Sequence, residues 1–337
     1  MATRRKVKKR TTRRSKATRK KTGSRRGGAP PLIENPVPWP NGARVAVDFS
    51  WNLDADSLLH NLHPDDSYTR VGAMSAMRYG PDIAVNRICN MFEHYDIPLS
   101  FFVPGWCIEE HPKACERMLE GGHEIAHHGY MHEVNNLNTR DRELYWMMRA
   151  SDAIEKFTGQ KPRGLRVPWF GVSPHTPQFM QDMGFLYDTS MLGDDVPYVL
   201  RNQSGGEIIE IPVHWPNDDF PHYGFEPNVD YTNNIQPPSR AKEVYMAEFN
   251  AAWEGRGLWF GNMHPWVSGR PSRMLVLEEM VHEMQDRGGV WFASMEEIAR
   301  HVKDMIDKGR HTPRIVDVPY KEGKIRELAE DAEPLRG

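Results

Sequence analysis

Apolar runs alternate with amphipathic stretches along most of the chain. Ala43–Trp51 (ARVAVDFSW) spaces β-branched and aromatic residues closely and predicts a buried strand. Strands are also predicted at 100–103, 123–127, 164–167, 185–188, 207–213, 258–263 and 289–293. Between them, helical spacing marks 82–95, 112–120, 141–157, 173–183, 239–255, 273–287 and 295–307. Pro81 stands where the first of these helices starts, and Gly121-Gly122 and Gly159 stand where two others stop. Ser57–Tyr79 is polar, carries His60, His63, Asp65 and Asp66, and reads as a long loop on a pocket rim.

Strand and helix in repeated alternation imply parallel strands joined by crossover helices, an α/β fold. A closed or nearly closed (β/α) barrel of seven or eight strands fits best. A doubly wound open sheet is the second choice, and the absence of a Gly-rich phosphate loop after the first strand lowers it. The expected organisation is a basic tail at 1–27, a Pro- and Gly-rich lead-in at 28–42, the barrel at 43–307, and a C-terminal tail or arm at 308–337.

Charge changes the picture at the N-terminus. Residues 1–26 hold 14 Lys and Arg and no Asp or Glu, which leaves 29 of the 43 basic residues against all 46 acidic ones. Such a tail lacks hydrophobic periodicity, is expected to be disordered, and could contact nucleic acid or another polyanion. A polyanion-binding protein is therefore the alternative from a different class. Three cysteines, Cys89, Cys107 and Cys115, are too few for a disulfide framework and suit a reduced, cytoplasmic setting. No apolar run is long enough for a membrane span, and no apolar signal segment is expected.

The candidate chemistry gathers at predicted strand ends: Asp54/Asp56, His128/His132, Arg166, Asp188, Asp218/Asp219 and His264. In a barrel those ends share one face. His128 and His132 are four apart, so both imidazoles can reach one cation. Asp54 and Asp56 share a face if the backbone there is extended, one free to bind a cation and the other to take a proton. One carboxylate with two imidazoles leaves open positions for water and substrate. His264 could protonate a leaving nitrogen, and Arg166 could clamp the base carboxylate in a bidentate contact.

The ordered set Asp54-Ala-Asp56, His128-Gly-Tyr-Met-His132, Arg166-Val-Pro-Trp169, Tyr187-Asp188-Thr-Ser190 and His264-Pro265 resembles the polysaccharide deacetylase (NodB-homology, carbohydrate esterase 4) family. It looks closest to the branch of peptidoglycan-deacetylase-like enzymes, cyclic imide hydrolases and allantoinases. The resemblance implies the family's irregular (β/α) barrel and a hydrolase of non-peptide C–N bonds. It implies Asp54 as general base, Asp56, His128 and His132 as ligands of zinc or another divalent transition metal, Arg166 as the residue orienting the base, and His264 as general acid. Asp188 and Asp194 both qualify as carboxylate partner of His264. Substrate contacts are expected from Trp169, Trp215, Asp219, Tyr130 and Asp188. The substrate is expected to be an N-acetylated sugar or a small cyclic amide or imide, and the chain to form a homo-oligomer, dimer or tetramer.

Overall fold

The computed structural model describes residues 30–323 and Ile325, and the features below lie in the unit that starts at Leu32. The basic tail at 1–27 lies outside the described residues. The first strand, β1 (Val45–Asn52), is buried along its whole length, its polar residues Asp48, Ser50 and Asn52 included. It is followed by β2 (Ser100–Val103), β3 (Glu124–His127), β4 (Gly164–Leu165), β5 (Tyr187–Asp188), β6 (Tyr198–Arg201) and β7 (Glu207–Glu210). Then come a small hairpin, β8 (Phe225–Glu226) and β9 (Tyr231–Thr232), and finally β10 (Leu258–Met263), β11 (Val290–Phe292) and β12 (Ile315–Asp317).

Seven strands run parallel in the order β10-β1-β2-β3-β4-β5-β7, with β11 also parallel to β1. Helices cross between them, so the α/β class and parallel architecture are as the alternating pattern predicts. Among the described residues no ladder joins β7 to β10. A single parallel bridge, Asp218 with Asn262, stands in that gap, so the barrel is not a continuous hydrogen-bonded ring.

Three expectations need correction. The segment Ser57–Tyr79 is mostly helical, at Ser57–Leu62 and Val71–Tyr79, because Leu58, Leu59, Ala73 and Met77 turn into the core. The strand β6 has no counterpart in the predicted pattern; it pairs antiparallel with β7. The segment expected as a C-terminal tail or arm carries a strand outside the predicted pattern, β12, which pairs parallel with β6. The lead-in is anchored as well: Trp39 is buried and its ring N–H donates to the Gly257 carbonyl at 2.9 Å.

The two ends of the parallel strands differ. At their start, the helix Met295–Asp307, capped by Ser294 and Glu297, packs against β1 and β7. Its first backbone N–H groups donate to Ser100 Oγ and Glu124 Oε2. At their finish, the chain leaves β1, β3, β4 and β10 directly into Asp54, His128, Arg166 and His264. Among the described residues no helix is long and apolar enough to cross a membrane.

Candidate metal and catalytic centre

The parallel register of β1 with β10, Trp51 opposite Met263, brings Asp54 and His264 to one place. β2 spaces β3 from β1, and the loop after β3 folds back over the strand ends. Gly129 takes a left-handed φ of 71° there, and Glu133 accepts N–H bonds from Tyr130 and Met131, which ties the loop together. His128 Nε2 lies 3.3 Å from Asp54 Oδ1, and His132 Nε2 lies 3.6 Å from Asp54 Oδ2. All three side chains are buried.

His128 Nδ1 can only donate to the Arg166 carbonyl 2.6 Å away, so in the neutral ring its Nε2 presents a lone pair. That lone pair faces Asp54 Oδ1, and both atoms are buried without a hydrogen-bond partner. Two acceptors at this distance call for a positive charge between them. Two ligand atoms each about 2.0–2.1 Å from a tetrahedral zinc would stand about 3.3 Å apart, close to what these three residues show. Asp54, His128 and His132 can therefore hold a cation. Burial raises the Asp54 pKa, but the three neighbouring histidines more than reverse this and hold the carboxyl well below the usual range. Burial pushes His132 down to about 4, so it is neutral and ready to ligate.

Asp56 does not join them. Its carboxylate accepts from His111 Nε2 at 2.7 Å and from Arg78 Nη1 at 3.2 Å. The extended backbone assumed for Asp54 and Asp56 ends at Asn52; Ala55 has a φ of 45°, which sends the second carboxylate away from the first. The carboxylate of the triad is thus Asp54, and the division that the resemblance implies, Asp54 as base and Asp56 as ligand, is not what the geometry gives.

Arg166 also differs from expectation. Its guanidinium is fully buried and clamps no carboxylate. Nη1 donates to Ser50 Oγ, Asn52 Oδ1 and Asn262 Oδ1 at 3.0, 2.9 and 2.6 Å, while the cation lies 3.9 Å from the Phe102 ring centre. Asn52 in turn places Nδ2 3.2 Å from His264 Nε2.

The partner of His264 is Asp219, and neither Asp188 nor Asp194 contacts it. Asp219 accepts from His264 Nδ1 at 2.6 Å and from its backbone N–H at 2.9 Å, so it orients the ring and does not reach for substrate. Burial would lower the His264 pKa, but Asp219 and Asp54 overcome it and raise it to about 9. Asp188 accepts from Ser190 and packs beside Glu210. Asp194 bonds Arg314. Tyr130 stacks on Trp146 and bonds Glu109 and Arg149. Neither Tyr130 nor Asp188 borders the cleft over the triad.

That cleft spans about 380 Å³ of space that is open to solvent. Trp169 and Trp215 border it as expected, together with Leu58, Val167, Phe170, Phe220 and Tyr231. Trp169 and Tyr231 stack nearly parallel, centroids 5.3 Å apart, so the β8–β9 hairpin supplies one wall. The sequence reading missed Asn52, Asn262 and Tyr231. The two asparagines had a signal: each is a polar residue at or next to the end of a buried strand, two residues before Asp54 or His264. The hairpin had none.

A second grouping, Cys89, Glu93 and His123, is close enough for a cation but unsuited. The Leu99 N–H donates to His123 Nδ1, so Nε2 carries the proton, and Arg117 already grips Glu93.

The family model described as "Polysaccharide deacetylase" matches residues 78–187. A curated "Peptidoglycan deacetylase" from Helicobacter pylori is 25% identical over 248 residues, covering 66% of this chain and 84% of that one. The solved structure of a "putative polysaccharide deacetylase" from Mycobacterium smegmatis is 36% identical, with a TM-score of 0.79 over 85% of this chain and 98% of the other. A solved "Puue Allantoinase" shares the fold, at 24% identity and a TM-score of 0.70 over 84% and 96%. The chain belongs to the polysaccharide deacetylase family, hydrolases of non-peptide C–N bonds.

Proposed function

We propose that the protein is a metal-dependent amide hydrolase, an N-deacetylase by family, with Asp54, His128 and His132 as the ligands. The observation that carries this is the pair of buried, unpartnered acceptors, His128 Nε2 and Asp54 Oδ1, 3.3 Å apart. Two imidazoles and a carboxylate suit zinc or a neighbouring divalent transition metal. When bound, such an ion polarises a carbonyl and makes water a stronger acid. His264, oriented by Asp219, is placed to protonate the leaving nitrogen. The aromatic walls exclude bulk water from the reacting carbonyl and hold the substrate in place.

The cleft favours a second, narrower reading of the substrate. Five of its bordering residues are aromatic, and its polar ones other than Tyr231 are engaged in the triad or in hydrogen bonds with one another, Arg166 or Asp219. A compact planar amide, such as a cyclic imide or ureide, fits this lining better than an extended glycan. The test is metal analysis of the purified protein and of His128→Ala, followed by a panel of tri-N-acetylchitotriose, succinimide and allantoin with added zinc. We expect about one ion per chain, its loss in the variant, and turnover within the panel. A protein that binds no metal, with His128→Ala as active as the parent, overturns the metal reading.

A further inference from the structure

Hydrolysis of an amide needs a group to take a proton from water as well as one to give a proton to nitrogen. With Asp54 in the triad and Asp56 turned away, the expected base is missing. Among the described residues bordering the cleft, the ionisable side chains are Asp54, His128, His132, Tyr231, Asp218 and His264. Three are ligands in the reading above, on which this inference rests. His264, whose Nδ1 is held by Asp219, is the proton donor to nitrogen in that same reading. Burial keeps the Tyr231 phenol protonated. Asn52, which meets both Arg166 and His264, is an uncharged amide.

Asp218 remains. It is buried, borders the cleft, and brings a carboxylate oxygen within 4.8 Å of a ring nitrogen of His264. Its carboxylate is bonded only by neutral donors, the Phe220 N–H and the Asn262 side-chain amide. Asn262 is itself oriented by Arg166, so the buried cation positions the carboxylate through an amide without neutralising it. We propose that Asp218 is the general base of this centre. Its carboxylate takes a proton from water as the water oxygen bonds to the carbonyl carbon. His264 gives a proton to nitrogen as the C–N bond breaks, leaving a carboxylic acid and an amine. Asp218 then loses its proton to solvent and His264 regains one, which closes the cycle.

The local charges agree with this role. Burial, with Asp219 adding to it and His264 opposing it, raises the Asp218 pKa to about 6. Arg166, Tyr231 and Tyr245 are the other ionisable groups that face it. A base in this range accepts a proton efficiently at neutral pH.

The test compares the parent with Asp218→Asn, and with the exchange Asp218→Asn plus Asn262→Asp, which keeps the net charge and the hydrogen bond if the single variant does not fold. Metal content, kcat on the best panel substrate and the acid limb of kcat/KM are measured. We expect both variants to keep the metal, to lose about 10²–10⁴-fold in kcat, and to lose the limb near pH 6. Carboxyl ¹³C NMR gives a readout free of turnover: Asp188 and Asp218 should both titrate near 6 in the parent, and Asp218→Asn should lose one of the two titrations. Retention of kcat within threefold, an unchanged limb, loss of metal along with activity, or the same titrations near 6 in Asp218→Asn as in the parent would each overturn the assignment. Absence of metal in the parent would instead overturn the function on which it rests.

Discussion

Asp219 holds His264 by two hydrogen bonds, from the ring at 2.6 Å and from the backbone at 2.9 Å, while Asp54 stands 3.5 Å from the opposite ring nitrogen. A carboxylate on each side favours the imidazolium, and this keeps a proton available at neutral pH. Asp219→Asn removes the nearer charge. The His264 pKa should then fall from about 9, and the alkaline limb of kcat should move to lower pH. We expect a drop of about 10²–10⁴-fold in kcat with metal content unchanged. A pH–rate profile checks both, and an unmoved alkaline limb would separate Asp219 from the acid.

Much of this centre was legible in the sequence because parallel barrels put chemistry at strand ends. Asp54, His128, His132 and His264 each follow an apolar run and do converge. The choice between Asp54 and Asp56 was not legible. The i, i+2 argument holds only while the backbone is extended, and the left-handed turn at Ala55 ends that extension. The partner of His264 was not legible either. Asp188, Asp194 and Asp219 all lie after strand-like runs, and only the fold shows that Asp188 meets Ser190, Asp194 meets Arg314 and Asp219 meets the His264 ring. In the fold, β6 and β12 form the far edge of the sheet, where short strands of mixed polarity carry little periodic signal.

The geometry of Asp56 separates metal binding from stability. Of its partners, Arg78 lies in the helix Val71–Tyr79 and His111 at the junction of the helices Gly105–Glu110 and Pro112–Glu120. Asp56→Ala should leave metal content at the parental level and lower stability by about 1–3 kcal/mol, the usual cost of leaving a buried partner unmade. Asp54→Ala should do the reverse, losing the metal outright. Parallel metal analysis and thermal melts decide it, and loss of metal from Asp56→Ala would return that residue to the ligand set.

At the other end of the strands, burial raises Glu124 to about 7, and it raises Asp48 well above its ordinary range, with Glu124 adding to it. A raised carboxyl pKa means that the folded state holds the proton more tightly than the unfolded chain. The stabilisation is therefore complete below about 4.5, the ordinary glutamic acid value, and is lost as pH rises through about 7. Stability should fall across that window by on the order of 3 kcal/mol from Glu124. Glu124→Gln keeps an acceptor for Ser100 and the Glu296 N–H, and its amide can donate to the Tyr187 oxygen. Its melting temperature should depend less on pH between 4.5 and 7. Equal slopes in the two proteins would mean that Glu124 is not the group responsible.

Trp169 sits at a φ of 58°, and Phe170 beside it at 56°, a conformation that costs a bulky residue free energy. The position is retained because the strained turn aims the indole at Tyr231 and across the cleft. Glycine and alanine substitutions remove the same stacking but differ in backbone cost. Trp169→Gly should be more stable than Trp169→Ala by about 1–2 kcal/mol, since only glycine occupies the left-handed region freely. Both should raise KM more than they lower kcat, because the wall binds substrate and holds no reacting proton. Melts paired with steady-state kinetics read the two effects separately. If alanine proves as stable as glycine, the turn is not strained in solution, and an unchanged KM in both would remove Trp169 from the substrate wall.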